Sequence, residues 1–287
     1  MNAALWGLAA ALAFGTADFC GRFTGRALGP ASAMLGLMLV GAVILTLYGG
    51  ASGMSLDWDA ENGWALVIAG LTAMLAPLAF YRSMTLAPLS LVMPITAGYP
   101  ALIVPVNLVL GTVPSPLQWL GMAGTGLGAI IVARTAADDP DSAISADPAN
   151  RRRAIAFAAL AAALFAVTLL VGQHAAAGYG EERTLWFGRL AGAGLLLAAF
   201  AARRRLPRLP LRWWPILAVQ GSLDALAYFF FYLGAKGEDA PIAAVASSAF
   251  MVVGVLLGWA ILKERMGLAC WSGVALVFAG IAILSLG

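Results

Sequence analysis

Residues 91–106 read LVMPITAGYPALIVPV, which places Pro94, Pro100 and Pro105 in one run of almost purely apolar side chains. Each proline removes a backbone N–H and clashes with the preceding turn, costing an ordinary helix about 3 kcal/mol or more. Strands confine proline to edges and bulges. A core element of a soluble fold would not carry three of them. Within a lipid bilayer, broken or kinked helices are tolerated where the freed carbonyls face protein or a watery cavity. This stretch is therefore expected to be a kinked membrane helix lining a cavity. For any single proline, simple bending of a packed helix is the competing reading.

The whole composition agrees with a membrane solvent. Of the 287 residues 62% are hydrophobic and 11% charged, with mean hydropathy +0.89. Soluble chains are nearer half apolar and a quarter charged. The isoelectric point near 9.1 is explained by membrane-orienting charges and does not argue for a nucleic-acid partner. One histidine and two distant cysteines, Cys20 and Cys270, supply neither a metal cluster nor a disulfide framework, and no cofactor is expected. The first apolar stretch, ALWGLAAALAFG, lacks a basic flank and is followed by nine similar ones, so it reads as a mature span and not as a signal peptide.

These stretches approach the length of a membrane-crossing helix. The fold class expected is an all-α integral membrane protein with ten transmembrane helices. Their spans are 3–21, 31–50, 63–84, 89–110, 117–134, 154–174, 184–202, 213–235, 241–262 and 267–286. The polar segment AADDPDSAISADPANRRR (136–153) divides the chain into five-helix units, 1–135 and 154–287, and reads as a linker. The units echo each other in their Ala-Pro pairs (87–88, 240–241) and in QWLG (118–121) against CWSG (270–273). An odd number of spans per unit makes the repeats inverted, a design that places the site at their interface.

Orientation follows from Lys and Arg. Of the 17, fourteen fall in or beside loops after spans 1, 3, 5, 7 and 9, while Arg183 and Lys236 fall in the other set and Arg189 lies within a span. The linker, with Ser142, is expected in the cytoplasm. The DWDAE loop (57–61), with Asp59, and both termini are expected outside.

FGTADF (14–19) in span 1, Arg189 early in span 7 and GWAILKERMGLACWSG (258–273) together resemble the EamA-type repeats of the drug/metabolite transporter superfamily. The resemblance covers essentially the whole chain and is nearest to YddG-type amino-acid exporters. The first unit departs from the pattern, since GTVPSPLQWLG (111–121) lacks the Lys-Glu-Arg and span 2 has no counterpart of Arg189. The resemblance implies an exporter in the bacterial cytoplasmic (inner) membrane, working as a monomer because the repeats form an internal pseudo-dimer.

Candidate site residues follow from depth and chemistry. Tyr99 lies ten residues into span 4, about 15 Å down a helix and near the middle of the bilayer. Aromatic rings with a polar tip suit amphipathic organic ligands. Thr96, Ser247, Asp224 and Tyr228 are placed nearest the ligand, with Phe165 and Tyr81 next. Ser247 and Ser248 could instead bond back to their own helix. Trp6, Trp64, Trp119, Trp186, Trp213, Trp214, Trp271 and Tyr232 fit interfacial belts. Asp224, about 16 Å beyond Trp213, is a functional candidate or the partner of Arg189 in a structural pair. Asp18 sits four residues before Arg22, a spacing that permits a helix-end ion pair.

The function expected is secondary export of several neutral or aromatic amino acids by alternating access, driven by the solute's own gradient. A proton-coupled exporter of drugs or other metabolites is the alternative. No Walker motif supports ATP-driven transport. Span 1 has no glutamate of the kind a small-multidrug-resistance mechanism would use, and one buried arginine is too few for a phosphate exchanger. No catalytic residues are assigned, since an integral-membrane enzyme would need groups converging at one depth.

Overall fold

The computed structural model describes residues 2–54, 63–87, 89–135, 148–236, 239–262 and 267–286, without the side chains at 89–91, 94, 133, 135 and 262. Pro88, Asp59, Ser142, Gly287, the Lys-Glu-Arg of 263–265 and linker residues 136–147 lie outside the described residues, as does the Pro94 side chain.

Every regular element among the described residues is a helix. They are α1 (Ala3–Leu28), α2 (Pro30–Ser52), α3 (Gly63–Met84), α4 (Leu89–Ala97), α5 (Pro100–Val109), α6 (Pro116–Thr135), α7 (Pro148–Tyr179), α8 (Glu181–Ala202), α9 (Trp214–Gly234), α10 (Ala240–Ser247), α11 (Phe250–Leu262) and α12 (Leu268–Leu284). A short 3-10 turn, Leu211–Trp213, leads into α9. Among the described residues seven helices are long and apolar enough to cross a membrane, α10 and α11 counting as one, and shorter apolar helices cover 95–109, 116–132 and 268–284.

Local chemistry sets the helix ends. Asn2 caps α1 by accepting from the Leu5 N–H at 3.0 Å, satisfying one of the donors a helix start leaves free. The α1–α2 and α7–α8 corners are made alike. Gly29 (φ 82°) precedes Pro30, and Gly180 (φ 85°) precedes Glu181. That conformation costs glycine nothing and any side chain a steric penalty.

The packing has a reciprocal pattern. The three most extensive contacts are α3 with α7, α6 with α12, and α1 with α9. Numbering each unit's helices from its start, with α4–α5 and α10–α11 as one each, exchanging the units converts the first contact into the third. The same exchange converts α2–α9 into α8–α3, and α4–α7 into α10–α1, while α6–α12 and α2–α8 map onto themselves. Between α6 and α12, Gly121 and Gly128 face Gly280 and Gly273 so closely that a methyl on any of them would meet backbone atoms within 3 Å. Small residues allow this approach in membranes, where apolar surface alone gives no driving force. Gly188 and Gly192 of α8 pack less tightly, a methyl on the first meeting Gly70 of α3 at 3.4 Å and one on the second meeting Met38 of α2 at 3.2 Å and Met74 of α3 at 3.3 Å.

The structure corrects several boundaries. α1 continues to Leu28, beyond the expected end at residue 21, carrying Arg22 and Arg26 on its last turns. Charged residues at a membrane exit do not end a helix whose backbone bonds remain intact. For the same reason residues 148–153, expected in the linker, form the start of α7. Tyr232, assigned to an interfacial belt, is 3% exposed and packs on Phe231 and Tyr228.

Candidate functional site

Two broken helices set up the site. Between α4 and α5, Gly98 and Tyr99 form a turn in which the Tyr99 N–H donates to Thr96 O at 3.3 Å. Pro100 has no N–H to give that carbonyl, so the helix breaks and Pro100 begins α5, with Pro105 inside it. Between α10 and α11 the chain breaks at residues 248–249 without an inner proline. There Ser247 Oγ donates to Ala244 O at 3.0 Å and Ser248 Oγ to Val245 O at 2.7 Å. Such back-bonding competes with the helical ladder and bends helices.

The breaks meet through Tyr99 and Ser247. The Tyr99 hydroxyl lies 2.7 Å from Ser247 Oγ and 3.3 Å from Ala244 O. With the Ser247 proton directed to Ala244 O, Tyr99 donates to Ser247. Both side chains are buried. The two residues expected at one depth from opposite units are in direct contact.

A small cavity lies beside this pair, bounded by Phe14, Asp18, Tyr99, Phe165, Leu169 and Phe250. Its volume of ≈ 20 Å³ admits about one water-sized group. Phe165 lies 6.3 Å from Tyr99 between ring centroids. Asp18 is the acid of this cavity. Leu28 ends α1 ten residues later, so Asp18 stands within the helix and not at its end, facing the cavity's aromatic rings. The expected Asp18–Arg22 pair is not formed: among the described residues the ion pairs are Arg189–Asp224 and Lys236–Glu181.

Arg189 and Asp224 form the second cluster. Arg189 Nη2 is 2.6 Å from Asp224 Oδ2, with side chains 3% and 11% exposed. The guanidinium sits 5.4 Å from the Tyr228 ring centroid, a cation–π distance. Phe14 packs edge-on against Tyr228 at 4.9 Å and so joins this cluster to the Asp18 cavity. Tyr81 is held elsewhere, accepting from Gln220 Nε2 at 2.9 Å, while Thr24 donates to Gln220 Oε1 at 2.8 Å. That relay ties α3, α9 and α1 together.

Two buried hydroxyls, Thr96 Oγ1 and Tyr228 OH, have no hydrogen-bond partner among the described residues. A larger cavity of ≈ 510 Å³ runs between α5, α6 and the α10–α11 break, walled by Pro100, Val104, Trp119, Met122 and Met251 among others. It reaches Gly98 and Ser248, one residue from each member of the Tyr99–Ser247 pair. Sequence reasoning missed Phe14, Phe250, Leu169 and the Gln220 relay. The spacing of Phe14 and Asp18, four residues apart on one helix face, was the available signal.

A many-helix membrane protein with broken helices meeting in its interior has the architecture of a transporter. The chain belongs to the EamA-like transporter family, whose description matches it twice, over residues 1–134 and 152–286. A solved structure titled "Crystal structure of protein" has the same fold, with TM-score 0.80 and 21% identity over 99% of this chain and 96% of the other. None of the curated protein sequences matches this chain.

Proposed function

We propose that the protein is a secondary transporter carrying small amphipathic metabolites, chiefly neutral and aromatic amino acids, out across a bacterial cytoplasmic membrane. Its helices make ten crossings as two inverted five-helix repeats, with both termini outside. The exchange symmetry of the helix contacts and the matching glycine corners support the repeats. Asn2 Nδ2 donates to Ser285 O at 2.7 Å, in keeping with termini on one side. The likeness to YddG-type exporters rests on sequence resemblance.

The observation that carries this reading is the contact of two helix breaks through Tyr99 and Ser247, with the ≈ 510 Å³ cavity reaching both breaks. That volume falls in the range of small-molecule sites. Its apolar wall shelters a side chain, and the unpartnered Thr96 Oγ1 belongs to the residue before Ala97 of that wall. Alternating access then consists of one repeat rocking on the other around these breaks. Asp224, held by Arg189, serves as a fixed countercharge, so flux follows the solute's own gradient.

Counterflow of radiolabelled amino acids into proteoliposomes, with and without an imposed pH gradient, tests this. Exchange of several neutral amino acids without a gradient is expected. Transport of phosphorylated sugars but no amino acid would refute the substrate class. Uphill accumulation that needs the gradient and disappears in Asp224→Asn would replace facilitated flux with proton coupling.

A further inference from the structure

The interior charges do not balance. Arg189 is committed to Asp224, and Asp18 has no ion-pair or hydrogen-bond partner among the described residues. An acid within a membrane helix is a functional candidate by default, and one without a partner is neutralised by a proton or by a cation brought to it. Around Asp18 stand four aromatic side chains, Phe14, Tyr99, Phe165 and Phe250. Aromatic faces attract organic cations, most strongly where water is excluded.

We propose that Asp18 and these four rings form the subsite for a primary ammonium group of the transported solute. This rests on the transporter reading above and names the residue that would hold one end of the substrate. Size narrows the ligand further. A cavity of ≈ 20 Å³ holds one water-sized group, which a primary ammonium matches and a trimethylammonium exceeds. The carboxylate accepts the ammonium protons, and the rings take up its charge in place of water. Glycines on the same helix hold this wall against the α10–α11 break. A methyl on Gly15 would lie 2.5 Å from Phe250 O, and one on Gly7 2.8 Å from Ala243 O. Asp18 is therefore carried on a helix fixed to the partner break, so occupancy of its cavity bears on the element that must move.

The test is equilibrium binding to the full-length protein in detergent, read by calorimetry. The probes are L-phenylalanine methyl ester, its N-acetyl derivative and its N,N,N-trimethyl derivative. Wild type should bind the primary amine at least tenfold more tightly than either derivative. Asp18→Asn should erase that preference and Asp18→Glu should restore part of it. Equal binding of the three probes by wild type, or a preference unchanged in Asp18→Asn, overturns the subsite. The wild-type comparison decides even if the Asn variant fails to fold. Proteoliposomes that exchange no amino acids while the Asp18-dependent preference persists would remove the proposed transport substrate and leave the ammonium subsite standing.

Discussion

Arg189 and Asp224 show how charge is tolerated at this depth. Each ion loses several kcal/mol of hydration on burial, and their mutual attraction returns it only at close range. The 2.6 Å separation supplies that range. The stack of Arg189 over Tyr228 adds a second neutralising surface. Removing one member leaves a buried charge uncompensated, at a cost of about 3–5 kcal/mol. Asp224→Leu and Arg189→Met should therefore each lower the thermal midpoint in detergent and the folded yield. The double variant should recover most of the loss. A single variant that melted with wild type would show that the pair is not coupled in the folded protein. If the double variant also transported normally, the pair would be structural and Asp224 would leave the list of substrate contacts.

At the scale of elements, the two broken helices were unequally legible. Three prolines and a glycine announce the α4–α5 break, because proline's missing N–H is visible in the sequence. The α10–α11 break was not legible as a break, since two serines do the work by bonding their own carbonyls, and most membrane serines do so without breaking anything. Ser247 was nonetheless marked by its depth and meets Tyr99. Asp18 was misplaced because Arg22 and Arg26 looked like a loop, which put the acid near a helix end. Which helix faces meet depends on tertiary contact and is not legible in the residues alone. Gly280 illustrates the consequence. A methyl there would sit 2.5 Å from the Thr125 backbone nitrogen and 2.7 Å from Gly121 O, whereas one on Gly194 meets nothing within 4 Å. Overpacking against backbone that cannot retreat costs about 1–3 kcal/mol. Gly280→Ala should thus lower the melting temperature in detergent, and Gly194→Ala should leave it within error. Equal midpoints for the two variants would contradict the close α6–α12 seam.

For the whole molecule, charge decides which way the bundle faces. With the proposed ten crossings, one end gathers Arg82, Arg134, Arg151 to Arg153, Arg203 to Arg205, Arg208 and Arg212. The other is sparse in basic residues and partly neutralised, with Lys236 Nζ 2.6 Å from Glu181 Oε1. Cytoplasmic loops carry the excess of Lys and Arg in membrane proteins, and short loops obey the rule best. On the proposed orientation the segment after α8 lies inside the cell, and the end of α2 outside. Ser52 and Arg205 are exposed positions on these two ends. Each can be changed to cysteine in a chain from which the partly exposed Cys20 has been removed, Cys270 being buried. On intact cells an impermeant thiol reagent should label Ser52→Cys, and label Arg205→Cys only after permeabilisation. The opposite pattern would invert the molecule in the membrane, place the arginines outside and overturn the proposed orientation.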